Sequence, residues 1–253
     1  MIPEFVWEDL NNPNLEKLRI QENLAQLVES GKSEFEKQLI LKNWTHNKLP
    51  LGNPSRDYAH LSSFEILADQ KKGDTFYCTQ YAQLFLQSAT ALNWYSRKLS
   101  VDKNHLITEK DMHHGVCDIW SNDFNKWYMI DPMHNLHFEK GGIPLNALEI
   151  RMEYIQNQGA SLKGVVGNYK DTVTFSGNQT GFNTPSNYFW FCVLLRNNFF
   201  YQPGLFNAQA LLWIDTYNKN KTWFKDGKPH SMYESQFIKT ENIDLVFPKM
   251  NNE

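Results

Sequence analysis

The chain has 253 residues, 41% of them hydrophobic and 21% charged, with a formal net charge of −3. That composition suits one large globular domain or two small ones, and with no long run of one charge it gives no reason to expect a nucleic-acid partner or a basic membrane-binding face. No stretch of about 18 apolar residues occurs, so no transmembrane helix is expected, and three cysteines (Cys78, Cys117 and Cys192) cannot build a disulfide framework.

The opening "MIPEFVWEDLNNPN" lacks the basic-then-apolar order of a signal peptide, which implies a cytoplasmic protein, or an exported one if a leader has already been removed. Residues 13–44 read as helical. Leu15, Leu18, Leu24, Leu27 and Val28 share a side, Gly31 interrupts the run, and Ser33 with Glu36 three residues on has the form of a capping box. The Pro, Gly and Asn content of 46–57 reads as loop. Ser62 or Ser63 caps a short helix with Phe64, Leu67 and Ala68 inward, stopped at Gly73. The clearest period follows. Cys78, Tyr81, Ala82, Phe85, Leu86, Ala89 and Leu92 form one stripe of an amphipathic helix, with Cys78 in its first turn and Asn93 at its end.

Residues 94–101 and 113–120 alternate as strands, "SNDFN" is a turn, and 126–131 is the returning arm of a hairpin. Arg97 and Lys98 read as strand-edge charges. A further helix spans 144–158. Residues 164–187, rich in Gly, Asn and Thr, read as a linker or long loop, and 188–200 is apolar and open between helix and strand. The tail, with "LLWIDTY", "KTWFKDG" and "NIDLVFP", reads as short strands and turns. Its aromatics Trp213, Tyr217, Trp223 and Phe224 suit either sheet packing or a glycan- or peptide-binding face. The order of elements is α+β rather than alternating βαβ.

A cysteine attacks acyl carbon as thiolate, and its ordinary pKa near ~8.5 falls at a helix N-terminus or beside an imidazolium. The imidazole in turn needs a third group, commonly a carboxylate, to fix its tautomer. His114 and Asp131, on neighbouring arms of one hairpin, suit these roles. His113 is the alternative base, but it shares a strand side with Cys117 and Ile119, whereas His114 shares one with Asp118, which itself suits a structural hydrogen bond. The bland alternative is that Cys78 is a core thiol. His113, His114, Cys117, His134 and His137 also suggest a metal. Zinc demands tetrahedral convergence, and the Pro132 and Asn135 context of the last two histidines is loop, so no metal site is expected.

The helix-initial cysteine after an aromatic in "FYCTQYAQLF", the strand-like "WYSRKLSV" and then "HHGVCDIWSNDFNKWYMIDP" resemble the transglutaminase-like superfamily of papain-like thiol enzymes, in its bacterial form. His114, Asp118, Trp127, Asp131 and Pro132 match the family pattern one by one. The match is tight over 73–132 and loose over 40–150. The resemblance implies an α+β fold with a transglutaminase-like core, in which a Cys-bearing helix packs on an antiparallel sheet. It implies Cys78, His114 and Asp131 as a triad, and acyl transfer at an amide of a peptide, protein or glycopeptide: hydrolysis, deamidation or transamidation, with no cofactor. The Cys78 N–H and a donor from Trp44 or Gln80 would bind the oxyanion. Phe76 and Tyr77 stand where the family commonly has Gly or Arg-Gly, and Val116 where it has an aromatic; these departures bear on the cleft. Residues 1–158 are expected to hold the N-terminal helices and catalytic core, and 159–253 a C-terminal extension packed on it. The competing function class is a non-catalytic binding or scaffolding protein that keeps this core and holds a glycan or peptide.

Overall fold

The computed structural model describes residues 4–55, 62–103, 113–167, 171–174, 184–200, 209–219 and 237–250. The first helix, α1 (Pro13–Gln21), starts where the Asn12 side chain accepts the Asn14 N–H and Pro13 takes the first helical position. Asn23, at φ 51°, turns the chain into α2 (Leu24–Val28), a break the apolar spacing does not reveal. Ser33 Oγ accepts the Glu36 N–H, as its spacing predicts, and α3 (Glu34–Lys48) runs a full turn past Trp44 into the segment read as loop. Ser62 and Glu65 cap α4 (Ser63–Gln70) reciprocally, and Gly73 at φ +89° closes it.

The helix α5 (Cys78–Ala91) begins at Cys78. It is not amphipathic in place, because every residue from Gln80 to Ala91 is buried. One side meets a sheet and the other meets α1, α3 and α4. Such a helix must satisfy its polar groups internally. The Gln87 carbonyl does so by accepting both the N–H and the hydroxyl of Ser63, at 2.6 and 2.5 Å, whereas its amide nitrogen has no protein partner among the described residues.

The chain continues through β1 (Ser96–Asp102), β2 (His114–Ser121), β3 (Lys126–Ile130), β4 (Leu136–Lys140), β5 (Ile143–Pro144) and α6 (Ala147–Asn157). Then come β6 (Lys163–Val166), β7 (Asp171–Thr174), a short 3₁₀ turn (Pro185–Tyr188), β8 (Trp190–Leu194), β9 (Ala210–Trp213), β10 (Phe237–Thr240) and α7 (Ile243–Val246). The segment read as a linker therefore carries two strands, the ambiguous apolar run is a strand, and "NIDLVFP" holds a helical turn. The main sheet has the order β10-β9-β8-β1-β2-β3, antiparallel except for β9 with β10. Residues 159–253 thus supply three of its six strands, with β8 hydrogen-bonded along β1. A smaller antiparallel sheet has the order β5-β4-β6-β7. The fold is α+β.

The alternation of β2 and β3 divides two cores. Cys117, Ile119, Tyr128 and Ile130 face α5, while Val116 and Met129 face a second core with Leu136, Phe138, Leu148 and Ile150. Arg97 and Lys98 are not edge charges. Both are buried: the Arg97 guanidinium lies against Trp127 and Phe247 and bonds Val246 O, and the Lys98 ammonium reaches Thr79 O in the first turn of α5. Trp213 packs into the second core, Tyr217 is exposed beside Phe189, and Trp223 and Phe224 lie outside the described residues.

Candidate active site

Cys78 takes the first helical position of α5, with Tyr77 extended as its cap. Gln80 Oε1 accepts the Tyr77 N–H at 3.0 Å, which fixes the entry of the chain into the helix. The preceding residue is tied down as well. Phe76 donates to Pro50 O at 2.9 Å and accepts from Gly52 N–H at 3.1 Å, so the 50–52 segment clamps the approach to Cys78. The Tyr81 hydroxyl donates to Leu49 O from one turn further on.

His114 opens β2, and Asp131 lies diagonally across on the same face of the hairpin, just past β3. His114 Nε2 donates to Asp131 Oδ2 at 2.7 Å. An ionised carboxylate only accepts, so this bond places the proton on Nε2 and leaves Nδ1 for other work. The Asp131 backbone is fixed by paired bonds to Leu136, at 2.8 and 2.9 Å. The turn after it is held by α3: His46 Nδ1 bonds Met133 O and Asn43 Oδ1 accepts from Asn135, both at 2.8 Å.

A first turn that met His114 directly would need α5 on the His114 face of the hairpin. Instead α5 lies on the face of Cys117 and Ile119, and the thiol meets the strand end at Gly115. Cys78 is partly exposed, hydrogen-bonded to the His114 side chain, and receives the Gly115 N–H. Burial alone would raise the thiol pKa. The His114 hydrogen bond and charge, the Gly115 N–H and the His113 charge outweigh it and bring Cys78 down to about 6. Burial alone would depress His114, but the charge and hydrogen bond of Asp131, with the bond and charge of Cys78, raise it to about 10. Burial opposes ionisation of Asp131 too, yet the His114 charge and the bonds from His114 and His134 hold it far below the usual carboxylate range. At neutral pH the array is therefore thiolate, imidazolium and carboxylate.

The structure brings Cys78, His114 and Asp131 together. His113 stands to one side, its Nδ1 3.3 Å from Asp102 Oδ2, and touches the thiol only through its charge. Trp44 is half-buried on α3 against the core that α5 shares, and Gln80 spends its carbonyl on the Tyr77 cap. Asp118 makes the buried ion pair with Arg97, at 2.9 Å, with the guanidinium 4.2 Å above the Trp127 ring. Lys98 reaches Thr79 O at 3.3 Å, in the first turn of α5, and burial lowers it to about 8 against the charges of Cys117 and Cys78.

Of the five residues of the metal reading, His114 and His134 come together beside Asp131, and the others make separate contacts. Cys117 bonds Ala82 O, and His137 pairs with Glu139 at 2.8 Å. His114, Asp131 and His134 bring three polar atoms within 4.8 Å of one another, joined by proton-bearing hydrogen bonds of 2.7 Å. Two site residues escape the sequence reading. Gly115 was signalled by a glycine inside an alternating strand, which marks close backbone approach. His134, in the turn after the Asp-Pro, enters the sequence analysis only through the metal reading, and nothing there signals its bond to Asp131.

No protein-family model and no curated protein matches the chain. Two solved structures are weakly similar to it. One is described as "a Putative Cysteine Protease from Cytophaga hutchinsonii", with 16% identity and a TM-score of 0.36 over 46% of this chain and 37% of that one. The other, similarly described as a protease, is from Parabacteroides distasonis, with 15% identity and a TM-score of 0.30 over 66% of this chain and 31% of that one. The chain spans about a third of the length of each. Likenesses this slight say nothing about activity.

Proposed function

We propose that the protein is a thiol-dependent enzyme of transglutaminase-like, papain-like type acting at amides, with Cys78 as nucleophile, His114 as acid and base, and Asp131 as the group that orients His114. The observation that carries this reading is the unbroken hydrogen-bonded series from a partly exposed thiol through His114 to buried Asp131. The Cys78 thiolate attacks the amide carbon, and the carbonyl π electrons move onto oxygen. The N–H of Cys78, at a helix N-terminus where backbone donors lack intrahelical acceptors, offers one hydrogen bond to that oxyanion. Trp44 or Gln80 would give a second; for Gln80 that must be its amide nitrogen. The oxyanion collapses, the C–N bond breaks, and His114 passes its proton to the departing amine. Water or an acceptor amine then attacks the thioester, losing a proton to His114, and the Cys78 thiolate departs. The substrate class is a peptide, protein or glycopeptide amide, and no step calls for a cofactor.

Thiol reactivity tests this reading without a known substrate. Alkylation of Cys78 by iodoacetamide should follow an apparent pKa of about 6. In His114→Ala it should return to the ordinary thiol range near ~8.5. A wild-type midpoint already in that ordinary range would remove the enzyme and leave a binding or scaffolding protein. Peptide-amide hydrolysis that survives Cys78→Ala would remove the mechanism.

A further inference from the structure

Asp131 serves two imidazoles, not one. Its Oδ2 accepts from His114 Nε2 and from His134 Nδ1, each at 2.7 Å, and its Oδ1 accepts the His134 backbone N–H at 3.1 Å. Two of the three bonds that hold this carboxylate therefore come from His134. The two rings stand 5.0 Å apart between centroids, tilted by 59°. The side chains of His114 and Asp131 are 1% and 0% exposed, whereas that of His134 is 25% exposed. Lys42, Cys117 and Tyr188 also feel the Asp131 charge, but their hydrogen bonds go elsewhere: Lys42 to His137 and Val165, Cys117 to Ala82, Tyr188 to Met129.

From this geometry we infer that His134 is a positioning residue of the site, a clamp that holds the Asp131 carboxylate in the one rotamer from which it can grip His114. The inference rests on the triad reading above. The physical argument is about rotation. A carboxylate pinned at one oxygen by His114 alone can swing about its Cβ–Cγ bond. The backbone N–H of residue 134 anchors Oδ1, and the His134 ring N–H holds Oδ2 from a second side, so that Oδ2 cannot tilt about that anchor out of line with His114 Nε2. The clamp works only if His134 carries its proton on Nδ1, since Oδ2 has no proton to give. His134 Nε2 is then left for solvent. Losing the clamp loosens Asp131, which weakens its hold on the His114 imidazolium, which in turn weakens the stabilisation of the Cys78 thiolate.

The test is the pH profile of iodoacetamide alkylation at Cys78 in wild type, His134→Ala and His134→Asn. An asparagine amide N–H lies close to where histidine Nδ1–H lies, so it restores the clamp without a titrating ring. His134→Ala should move the Cys78 midpoint up by about one unit, which slows alkylation about twofold at pH 7 and about tenfold at pH 5. His134→Asn should bring the midpoint back to the wild-type position. Equal midpoints in all three proteins, or alanine and asparagine variants that shift alike, overturn the inference while leaving the triad intact. A wild-type thiol with an ordinary midpoint fails the triad reading instead. Should His134→Ala not fold, the side-chain nitrogen NMR spectrum of the wild type decides. A neutral His134 in the Nδ1–H tautomer supports the clamp, and the Nε2–H tautomer overturns it.

Discussion

Gly115 stands with its bare α-carbon against Cys78, and a β-carbon built on it would lie 3.8 Å from the Cys78 sulfur and 3.7 Å from the Thr79 α-carbon. The same residue donates its N–H to that sulfur. The absence of any larger side chain there lets α5 bring the thiol to the end of β2, where it reaches the His114 side chain. Ordinary van der Waals distances leave room for one methyl but not for branches. Gly115→Ala should therefore fold with near-wild-type stability and keep the thiol midpoint. Gly115→Val overpacks the contact at a cost of about 1–3 kcal/mol and pushes the helix start away from the strand. Urea denaturation and alkylation of the two variants check both halves, and an alanine variant as damaged as the valine one contradicts the geometry.

The depressed thiol makes a prediction about stability as well as reactivity. Cys78 falls from an ordinary 9.0 to about 6 on folding. Between those values the unfolded chain holds a proton that the native state has released, so stability from this group rises with pH. It is fully present above the unfolded value and is lost as pH falls through about 6. The advantage of the wild type over Cys78→Ser should widen as pH is raised from about 6 to 9. His114 carries the opposite sign. Its pKa is raised to about 10, so its contribution is complete below 6.5 and is lost as pH climbs to that value. Melting temperatures of the two proteins across this range give the difference directly, and a gap that narrows with rising pH refutes the assignment of a native thiolate.

Arg97 and Asp118 form a buried pair whose partners cannot be removed singly without cost. The guanidinium lies between the rings of Trp127 and Phe247 and also donates to Val246 O. Arg97→Met leaves Asp118 buried beside no cation, which should cost about 3–5 kcal/mol. The double variant Arg97→Met, Asp118→Leu should recover most of that loss, because a packed apolar pair pays no desolvation penalty. Chemical denaturation of the single and double variants measures the coupling; a single variant within about 1 kcal/mol of wild type is the contrary result.

These contacts show where the sequence is legible and where it is not. α5, β2 and β3 follow from local periods, and Ser33 and Ser62 announce their helices, because each signal lies within a few residues of its effect. Cys78, His114 and Asp131 are legible as a set because one helix and one hairpin carry all three. Arg97 and Lys98 looked exposed because what covers them lies outside β1, Trp127, Val246 and Phe247 over Arg97 and the first turn of α5 over Lys98; nothing in β1 announces those partners. β6 and β7 hide in a Gly- and Asn-rich stretch because both are only four residues long, too short for alternation to stand out. His134 is invisible because its role depends on the turn conformation after Pro132, where Asn135 adopts φ 53°.

Behind the site, Lys42 of α3 is buried with its ammonium 3.3 Å from His137 Nδ1, while His137 Nε2 bonds Glu139 at 2.8 Å. Burial lowers Lys42 to about 7, against the pull of the Asp131 and Glu139 charges, and burial with the Lys42 charge lowers His137 to about 4 despite its bond to Glu139. The unfolded chain keeps the lysine proton up to its ordinary 10.5, so the native state binds fewer protons between about 7 and 10.5, and this group makes stability rise with pH there. Lys42→Met keeps most of the volume and deletes the titration. Relative to wild type, the variant should gain stability steadily as pH is lowered from about 10 towards 7, by up to about 1.4 kcal/mol per pH unit where Lys42 alone sets the slope. Denaturation at several pH values reads that slope. If the variant instead loses ground as pH falls, the ammonium is held charged in the native state, and the buried Lys42–His137–Glu139 series is an ion pair with Glu139 rather than a neutral amine beside a neutral ring.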